Sequence, residues 1–191
     1  MLDKIATSDS YIFKNQKALF LDRDGVVIKY IPYLSKPEQV ELPFGAGEAL
    51  KRWQDKGYLL ILVTNQAGVG RGYYNLEDVT DVHNYICKEY KKKYGVNFYD
   101  IFICPHHPNE KCLCRKPSPQ MLVDASIKYN ILLSKSFFIG DTLSDVESAL
   151  NAGCNPILLL TGKGKDSLKR IVKYPHKIQV FNSLQETVKI I

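Results

Sequence analysis

Two aspartates separated by one residue follow the first apolar run of the chain. Asp22 and Asp24 come after residues 17–21 and precede Gly25, which allows the backbone to turn sharply. One carboxylate can attack phosphorus to form an aspartyl-phosphate, while a second protonates the leaving oxygen and then activates water. Clustered carboxylates also bind Mg²⁺. A capped loop with two solvated acids is the alternative, because Asp-x-Asp is a short pattern.

Further polar groups follow the later apolar runs. The segment that begins Thr64-Asn65-Gln66 offers a hydroxyl, an amide and flexible backbone N–H groups, which suit a phosphoryl group. Arg71 could hold a second anionic group with its fork of donors. Taken alone, this segment also fits a polar loop with turn glycines.

Two later segments supply a cation pair and more acids. Lys116 could neutralise a transferring phosphoryl group, and Arg115 beside it could contact the substrate. Asp141 would complete the Mg²⁺ site, whereas Asp145 is expected to order its loop or to cap a helix. Together these residues predict phosphoryl chemistry at one edge of the fold.

Four soft or borderline metal ligands lie in one short segment. Cys104-x-His106 and Cys112-x-Cys114 form a set suited to tetrahedral Zn²⁺, although the spacings are tighter than in common zinc fingers. Reduced, unligated thiols are the alternative, and His107 competes with its neighbour as a ligand. A closed site of four ligands would be structural and would clamp the loop that leads to the Arg-Lys pair.

The elements that must position these groups alternate between β-rich runs and stretches of helical period. This pattern predicts an α/β fold with a parallel sheet covered by helices. The expected strands are 17–21, 58–63, 98–103, 136–139, 156–160 and 177–181. The first two expected helices are 46–56 and 76–94, which end before Gly57 and Gly95. A third opens at Ser118-Pro119, and a fourth opens at Ser144 with Glu147 in a capping box. The last is expected over 183–190. Ligands of such sheets bind beyond the carboxyl ends of the strands, where the polar groups fall.

Composition bounds the class of protein. The chain has 191 residues, of which 45% are hydrophobic, and this predicts one domain over residues 17–191 after a polar lead over residues 1–16. No apolar run approaches the roughly 20 residues of a membrane span, and the N-terminus lacks a signal-peptide pattern, so we predict a cytoplasmic protein with no membrane partner. Five cysteines in such a chain argue against a disulfide framework, and Cys87 and Cys154 are expected in the core.

The ordered motifs resemble the haloacid dehalogenase superfamily of phosphohydrolases. The resemblance rests on Asp-x-Asp-Gly-Val, an apolar strand ending in Thr64-Asn65, then Lys116 and Gly-Asp-x-x-x-Asp. It implies that Asp22 is the nucleophile and a Mg²⁺ ligand, and that Asp24 is the acid/base residue and lends its backbone carbonyl to Mg²⁺. Thr64 and Lys116 would bind the phosphoryl group, and Asp141 would be the other metal ligand. It also implies a Rossmann-like, mainly parallel open sheet with helices on both faces and no large cap domain.

Within this superfamily the chain looks like the D-glycero-D-manno-heptose 1,7-bisphosphate phosphatases, which are close relatives of histidinol-phosphate phosphatases. Cys-Pro-His-His-Pro, Cys-x-Cys-Arg-Lys-Pro and Thr-Asn-Gln-x-Gly-x-x-Arg-Gly carry this resemblance. The resemblance implies zinc bound by Cys104, His106, Cys112 and Cys114, substrate recognition by Arg115, a phosphate end lined by Thr64, Asn65, Gln66 and Ala67, and a loop Tyr30-Ile31-Pro32-Tyr33 that closes over the sugar. The chain departs from the usual pattern at Ile31-Pro32, where Gly often precedes the tyrosine, and at Thr142, where lysine is common.

The resemblance therefore predicts a Mg²⁺-dependent phosphatase with structural Zn²⁺ that removes the 7-phosphate of a heptose 1,7-bisphosphate during nucleotide-activated heptose biosynthesis. Its partner would be a small phosphorylated sugar, and the protein is expected to be a monomer. Histidinol phosphate is the alternative substrate. A zinc-stabilised nucleic-acid-binding module is the alternative of another class; the net charge of +6 favours it, but no helix shows a clustered basic face.

Overall fold

Six parallel strands form one sheet in the computed structural model, which describes residues 15–171, 174 and 178–191. The strand order is β3-β2-β1-β4-β5-β6. The strands are β1 (Lys17–Leu21), β2 (Tyr58–Asn65), β3 (Asp100–Cys104), β4 (Phe137–Gly140), β5 (Asn155–Leu159) and β6 (Gln179–Phe181). Residues 1–14 of the predicted polar lead, and residue 177 of the last predicted strand, lie outside the described residues.

Helices connect these strands. They are α1 (Ala46–Asp55), α2 (Ala67–Gly70), α3 (Leu76–Tyr94), α4 (Gln120–Tyr129), α5 (Leu143–Ala152) and α6 (Gly164–Ile171), with 3₁₀ segments at Pro37–Gln39, Leu133–Lys135 and Leu184–Ile190. None of the helices in the described part of the chain is long and apolar enough to cross a membrane.

Strand β1 shows why the sheet carries helices on both faces. Its side chains alternate, so Leu19 and Leu21 pack into one core cluster and Ala18 and Phe20 into another. The first cluster contains residues of α1 and α3, and the second contains residues of α4 and α5. This three-layer α/β arrangement confirms the predicted fold class.

The strand order also places the site. From β1 the chain adds β2 and β3 on one side, and it then returns to add β4, β5 and β6 on the other. The order therefore reverses between β1 and β4, where open parallel sheets leave a crevice beyond their carboxyl ends. Asp22 follows β1 and Asp141 follows β4, and the Asp22 backbone N–H donates to the Ile139 carbonyl at 3.0 Å.

Helix α5 begins differently from the prediction. Its N-cap is Thr142, two residues before the predicted Ser144, and its capping-box partner is Asp145 rather than Glu147. Asp145 accepts hydrogen bonds from the backbone N–H of Thr142 at 2.9 Å and from its hydroxyl at 2.6 Å. The predicted start was wrong because two overlapping S/T-x-x-D/E patterns occur here, and only the earlier one meets the end of β4.

Other departures concern short elements. The predicted last helix is a 3₁₀ segment, and α2 and α6 were not predicted. The remaining strands and helices agree with prediction to within two residues at each end, and Gly95 and Gly153 end α3 and α5 at positive φ. Of the two isolated cysteines, Cys154 is buried as predicted, whereas Cys87 is only half-buried.

Candidate active site

Three buried aspartates meet at the reversal of strand order. Carboxylate oxygens of Asp22, Asp141 and Asp145 lie within 4.8 Å of one another. Asp22 extends from β1, Asp141 from β4, and Asp145 from the first turn of α5. Like charges at this spacing repel unless a cation joins them.

Lys116 is the cation that the chain itself supplies. Its Nζ lies 3.0 Å from Asp22 Oδ1 and 2.6 Å from Asp145 Oδ1, and it donates to the Val63 carbonyl at 2.9 Å. Burial alone would lower the pKa of Lys116, but Asp145 and Asp22 raise it above its usual value. The lysine is therefore a fixed positive charge.

One lysine does not balance this set of acids. Burial raises the pKa of Asp22 to about 8, with Lys116 opposing the shift and Asp145 adding to it. Burial and Asp145 likewise raise the pKa of Asp141 to about 7. These carboxyl groups keep their protons near neutral pH because too little positive charge lies near them. They are therefore suited to bind a hard divalent cation such as Mg²⁺.

The second aspartate of the pair is held apart from this cluster. Arg23 binds the Asp24 carboxylate through Nε and Nη2, each at 3.1 Å, and it also donates to Gln66 Oε1 at 3.0 Å. Gln66 Nε2 donates in turn to Asp24 Oδ2 at 3.0 Å and to Thr64 Oγ1 at 2.9 Å. Tyr74 completes the network by donating its hydroxyl to Gln66 Oε1 at 3.0 Å. Arg23 and Gln66 therefore fix the position of the Asp24 carboxylate.

Glycine permits the tight turn that follows the two acids. Gly25 has φ +83°, and a Cβ there would meet the Asp141 carboxylate. Gly162, on the loop after β5, lies next to Gly25 and approaches the same carboxylate. Any side chain at either position would displace Asp141.

The end of β2 is joined to the loop that carries Lys116. Asn65 Oδ1 accepts the Lys116 backbone N–H at 3.1 Å, and Asn65 Nδ2 donates to the Lys116 carbonyl at 3.3 Å. This reciprocal pair fixes the lysine beside the predicted phosphate segment.

A cavity of about 310 Å³ opens over the aspartates. The predicted substrate residues that line it are Tyr30, Ile31, Pro32, Tyr33, Asn65, Gln66, Ala67, Arg71, Arg115 and Lys116. Thr64 is buried behind Gln66 and does not line it. Tyr33 and Tyr73 meet edge to face with ring centroids 4.8 Å apart, so the 30–33 loop touches the loop after α2.

The four predicted zinc ligands come together in one cluster. Their ligand atoms lie within 4.8 Å of one another, with His106 Nδ1 at 3.6 Å from Cys104 Sγ and 3.1 Å from Cys114 Sγ. His107 instead accepts the backbone N–H of Asn109 through Nδ1 at 3.1 Å. Three sulfurs and one imidazole at this spacing fit a tetrahedral metal ion.

The cysteine loop also supports the phosphate segment. Gln66 N–H donates to the Cys104 carbonyl at 2.8 Å, and Gly70 N–H donates to the Pro105 carbonyl at 2.8 Å. A Cβ at Gly70 would meet the backbone of His106 and His107. The cluster is thus placed to hold both the segment after β2 and the segment that bears Lys116.

Sequence reasoning missed several residues at the site. Arg23, Tyr74 and Lys163 line the cavity but were not predicted, and Asp145 pairs with Lys116 in addition to capping α5. A signal existed for Lys163, because it follows the fifth predicted strand just as Asp141 follows the fourth. Nothing in the local sequence indicates that Arg23 is buried.

Comparisons with known proteins agree with this geometry. A HAD-hydrolase-like family model matches residues 113–187. A curated D-glycero-beta-D-manno-heptose-1,7-bisphosphate 7-phosphatase of Helicobacter pylori strain J99 is 40% identical over 90% of this chain and 95% of its own length. A D-glycero-alpha-D-manno-heptose-1,7-bisphosphate 7-phosphatase of Photorhabdus laumondii is 41% identical over 72% and 78% of the two chains.

A solved structure shows the same likeness. The D,D-heptose 1,7-bisphosphate phosphatase of B. bronchiseptica, crystallised with magnesium and phosphate, superposes with a TM-score of 0.86 at 31% identity. The superposition covers 92% of this chain and 97% of that one. The chain therefore belongs to the haloacid dehalogenase-like family of hydrolases, in its phosphatase branch.

Proposed function

We propose that this protein removes the 7-phosphate of D-glycero-D-manno-heptose 1,7-bisphosphate through an aspartyl-phosphate on Asp22. The observation that carries this proposal is the meeting of Asp22, Lys116 and Asp141 at the base of a cavity, in a chain whose relatives bear that name. The alpha and beta names of the relatives leave the preferred anomer to experiment.

Each residue at the base of the cavity has a role in the proposed reaction. The Asp22 carboxylate attacks phosphorus, and Lys116 and Asn65 receive the phosphoryl oxygens. Thr64 was predicted to bind them as well, but it is buried, and its hydroxyl instead accepts a hydrogen bond from Gln66. Asp24 protonates the leaving oxygen of the sugar and then takes a proton from the water that releases phosphate from Asp22. The position of Asp24 supports this role, because Arg23 and Gln66 fix its carboxyl group and Asp24 lines the same cavity as Asp22.

The proposed metals have separate places. Asp22, the backbone carbonyl of Asp24 and Asp141 would hold Mg²⁺, which supplies positive charge that lets an anionic carboxylate approach an anionic phosphate. Cys104, His106, Cys112 and Cys114 would hold Zn²⁺, which supplies a crosslink within the loop rather than chemistry.

The remaining predictions describe the setting of the reaction. We infer one phosphatase domain over residues 17–191 that acts as a monomer in the cytoplasm. The 30–33 loop would cover the sugar, which is supported by its place on the cavity wall.

A hydrolysis panel tests the proposal. The purified protein is offered α- and β-heptose 1,7-bisphosphate, histidinol phosphate and a 5′-phosphorylated oligonucleotide, with Mg²⁺ present. We expect kcat/KM to be highest for one of the heptose anomers, with only the 7-phosphate released. Preference for histidinol phosphate, or binding of the oligonucleotide with no hydrolysis of any sugar, would contradict the proposal.

A further inference from the structure

Five cationic side chains line the active-site cavity, and they differ in whether a carboxylate already neutralises them. They are Arg23, Arg71, Arg115, Lys116 and Lys163. Arg23 is paired with Asp24, and Lys116 is paired with both Asp22 and Asp145. Within the described ranges, no carboxylate lies within ion-pair distance of the other three. The cavity thus offers three uncompensated positive charges to an anionic ligand.

Of the three cations without a carboxylate partner, Lys163 is the one that the sequence did not predict. Its backbone is hydrogen-bonded to the site. Its N–H donates to Asp141 Oδ2 at 2.7 Å, and Thr161 just before it donates its hydroxyl to the Gly25 carbonyl at 2.5 Å. Gly162 lies between these two residues, and a Cβ there would meet the Asp141 carboxylate and the Gly25 Cα. These contacts join the loop after β5 to Asp141 and to the turn at Gly25.

The side chain of Lys163 lies on the cavity wall beside Tyr30. Its Nζ lies 4.9 Å from the centroid of the Tyr30 ring, in the loop proposed to cover the sugar. The ring restrains the ammonium group without neutralising it, since a cation over an aromatic face keeps its full charge. Lys163 also borders the neighbouring pocket, which it shares with Thr142 and Ser144.

We propose that Lys163 is a specificity-determining residue that binds the second, non-reacting phosphate of a bisphosphorylated sugar. This inference rests on the proposed function. The reacting phosphate would bind beside Asp22 and Lys116. The second phosphate of the same sugar then needs a cation that is not already paired with a carboxylate. A lysine can serve as a point-charge phosphate ligand there.

The substitution Lys163→Met tests this assignment, because it keeps most of the length of the side chain and removes its charge. The measured quantity is the ratio of kcat/KM for heptose 1,7-bisphosphate to kcat/KM for heptose 7-phosphate. Loss of a charge-assisted contact at an exposed position should lower this ratio roughly tenfold, mainly through KM for the bisphosphate. The inhibition constant of the product, heptose 1-phosphate, should rise by a similar factor.

Two further variants control the test. Lys163→Arg restores a cation and should return the ratio to within about threefold of wild type. Lys165→Met removes an exposed lysine that does not line the cavity, and it should leave the ratio unchanged. A Lys163→Met ratio equal to that of wild type, or an arginine variant as poor as the methionine variant, would overturn the inference. Wild-type protein that does not favour the bisphosphate at all would instead refute the proposed function.

Discussion

The carboxylate cluster and the cysteine cluster are built in different ways, although the short stretch through Arg115 and Lys116 connects them. The carboxylates come from the ends of β1 and β4 and from α5, so two strands distant in sequence must pair before these groups meet. The cysteine cluster comes from one loop, residues 104–114, and packs against the core that includes Met121 and Leu122.

Their electrostatics differ as well. The carboxylate cluster contains a buried lysine and acids whose pKa values are raised by burial, so it is unbalanced until a further cation arrives. The cysteine cluster offers four ligands, which would close around one metal ion and leave no position for substrate. This difference supports the proposal that the first cluster performs chemistry and the second stabilises the loop, and the following predictions test that division.

Substitution of the nucleophile should give the largest effect. Asp22→Asn removes the attacking carboxylate, and we expect kcat to fall on the order of 10⁴-fold or more. Stability should not fall, because burial already favours an uncharged group at this position. Steady-state kinetics and thermal melting of the same preparation measure both. Appreciable turnover by the variant would contradict the covalent mechanism.

Disruption of the cysteine cluster should lower the reaction rate only by displacing Lys116 and its neighbours. Cys114→Ser should remove the proposed zinc site and loosen the segment that carries Lys116. A misplacement of about 1 Å can cost on the order of a hundredfold in rate, so a folded but slow enzyme is expected. Metal analysis, melting and kinetics follow the change, with the half-buried Cys87→Ser as the matched control. A zinc-free variant with normal rate and stability would refute the structural role.

Asp145 should matter for stability as well as rate. Asp145→Asn weakens the buried ion pair with Lys116, and loss of such a partner costs about 3 kcal/mol in the free energy of unfolding. The exposed pair between Asp166 and Lys169 provides the control, because Asp166→Asn should change little. Denaturant unfolding compares the two variants. Equal effects would mean that the buried pair contributes no more than a surface one.

The smallest predicted effect is a dependence of metal stabilisation on pH. The folded-state pKa values of Asp22 and Asp141, about 8 and about 7, exceed the ordinary 3.8. The metal-free folded protein therefore holds protons that the unfolded chain has released, and its stability falls as pH rises from about 4 to about 8. Mg²⁺ needs the deprotonated acids, so the rise in melting temperature on adding Mg²⁺ should be larger at about pH 8 than at about pH 6. The opposite order would contradict the role of these acids.

The sequence predicted those features that depend on residues close together in the chain, and it missed those that depend on distant segments packing together. Strand β1 was predicted with its observed bounds, because an apolar run with alternating faces precedes a glycine turn. The cysteine cluster was found for the same reason, since all four ligands lie in one loop. The network of Arg23, Gln66 and Tyr74 was not predictable, because it exists only when the ends of β1 and β2 pack together. Helix α6 was missed because its sequence is largely polar.

The identity of the phosphorylated residue tests the central claim most directly. Asp24→Asn protein is mixed with heptose 1,7-bisphosphate and Mg²⁺, quenched in acid, digested and analysed by mass spectrometry. Loss of the acid/base group should slow release of the phosphate more than it prevents attack by an already ionised carboxylate, so phosphate should accumulate on Asp22. Phosphate found on Asp141 or Asp145, or a single turnover that leaves every acid unmodified, would contradict this account.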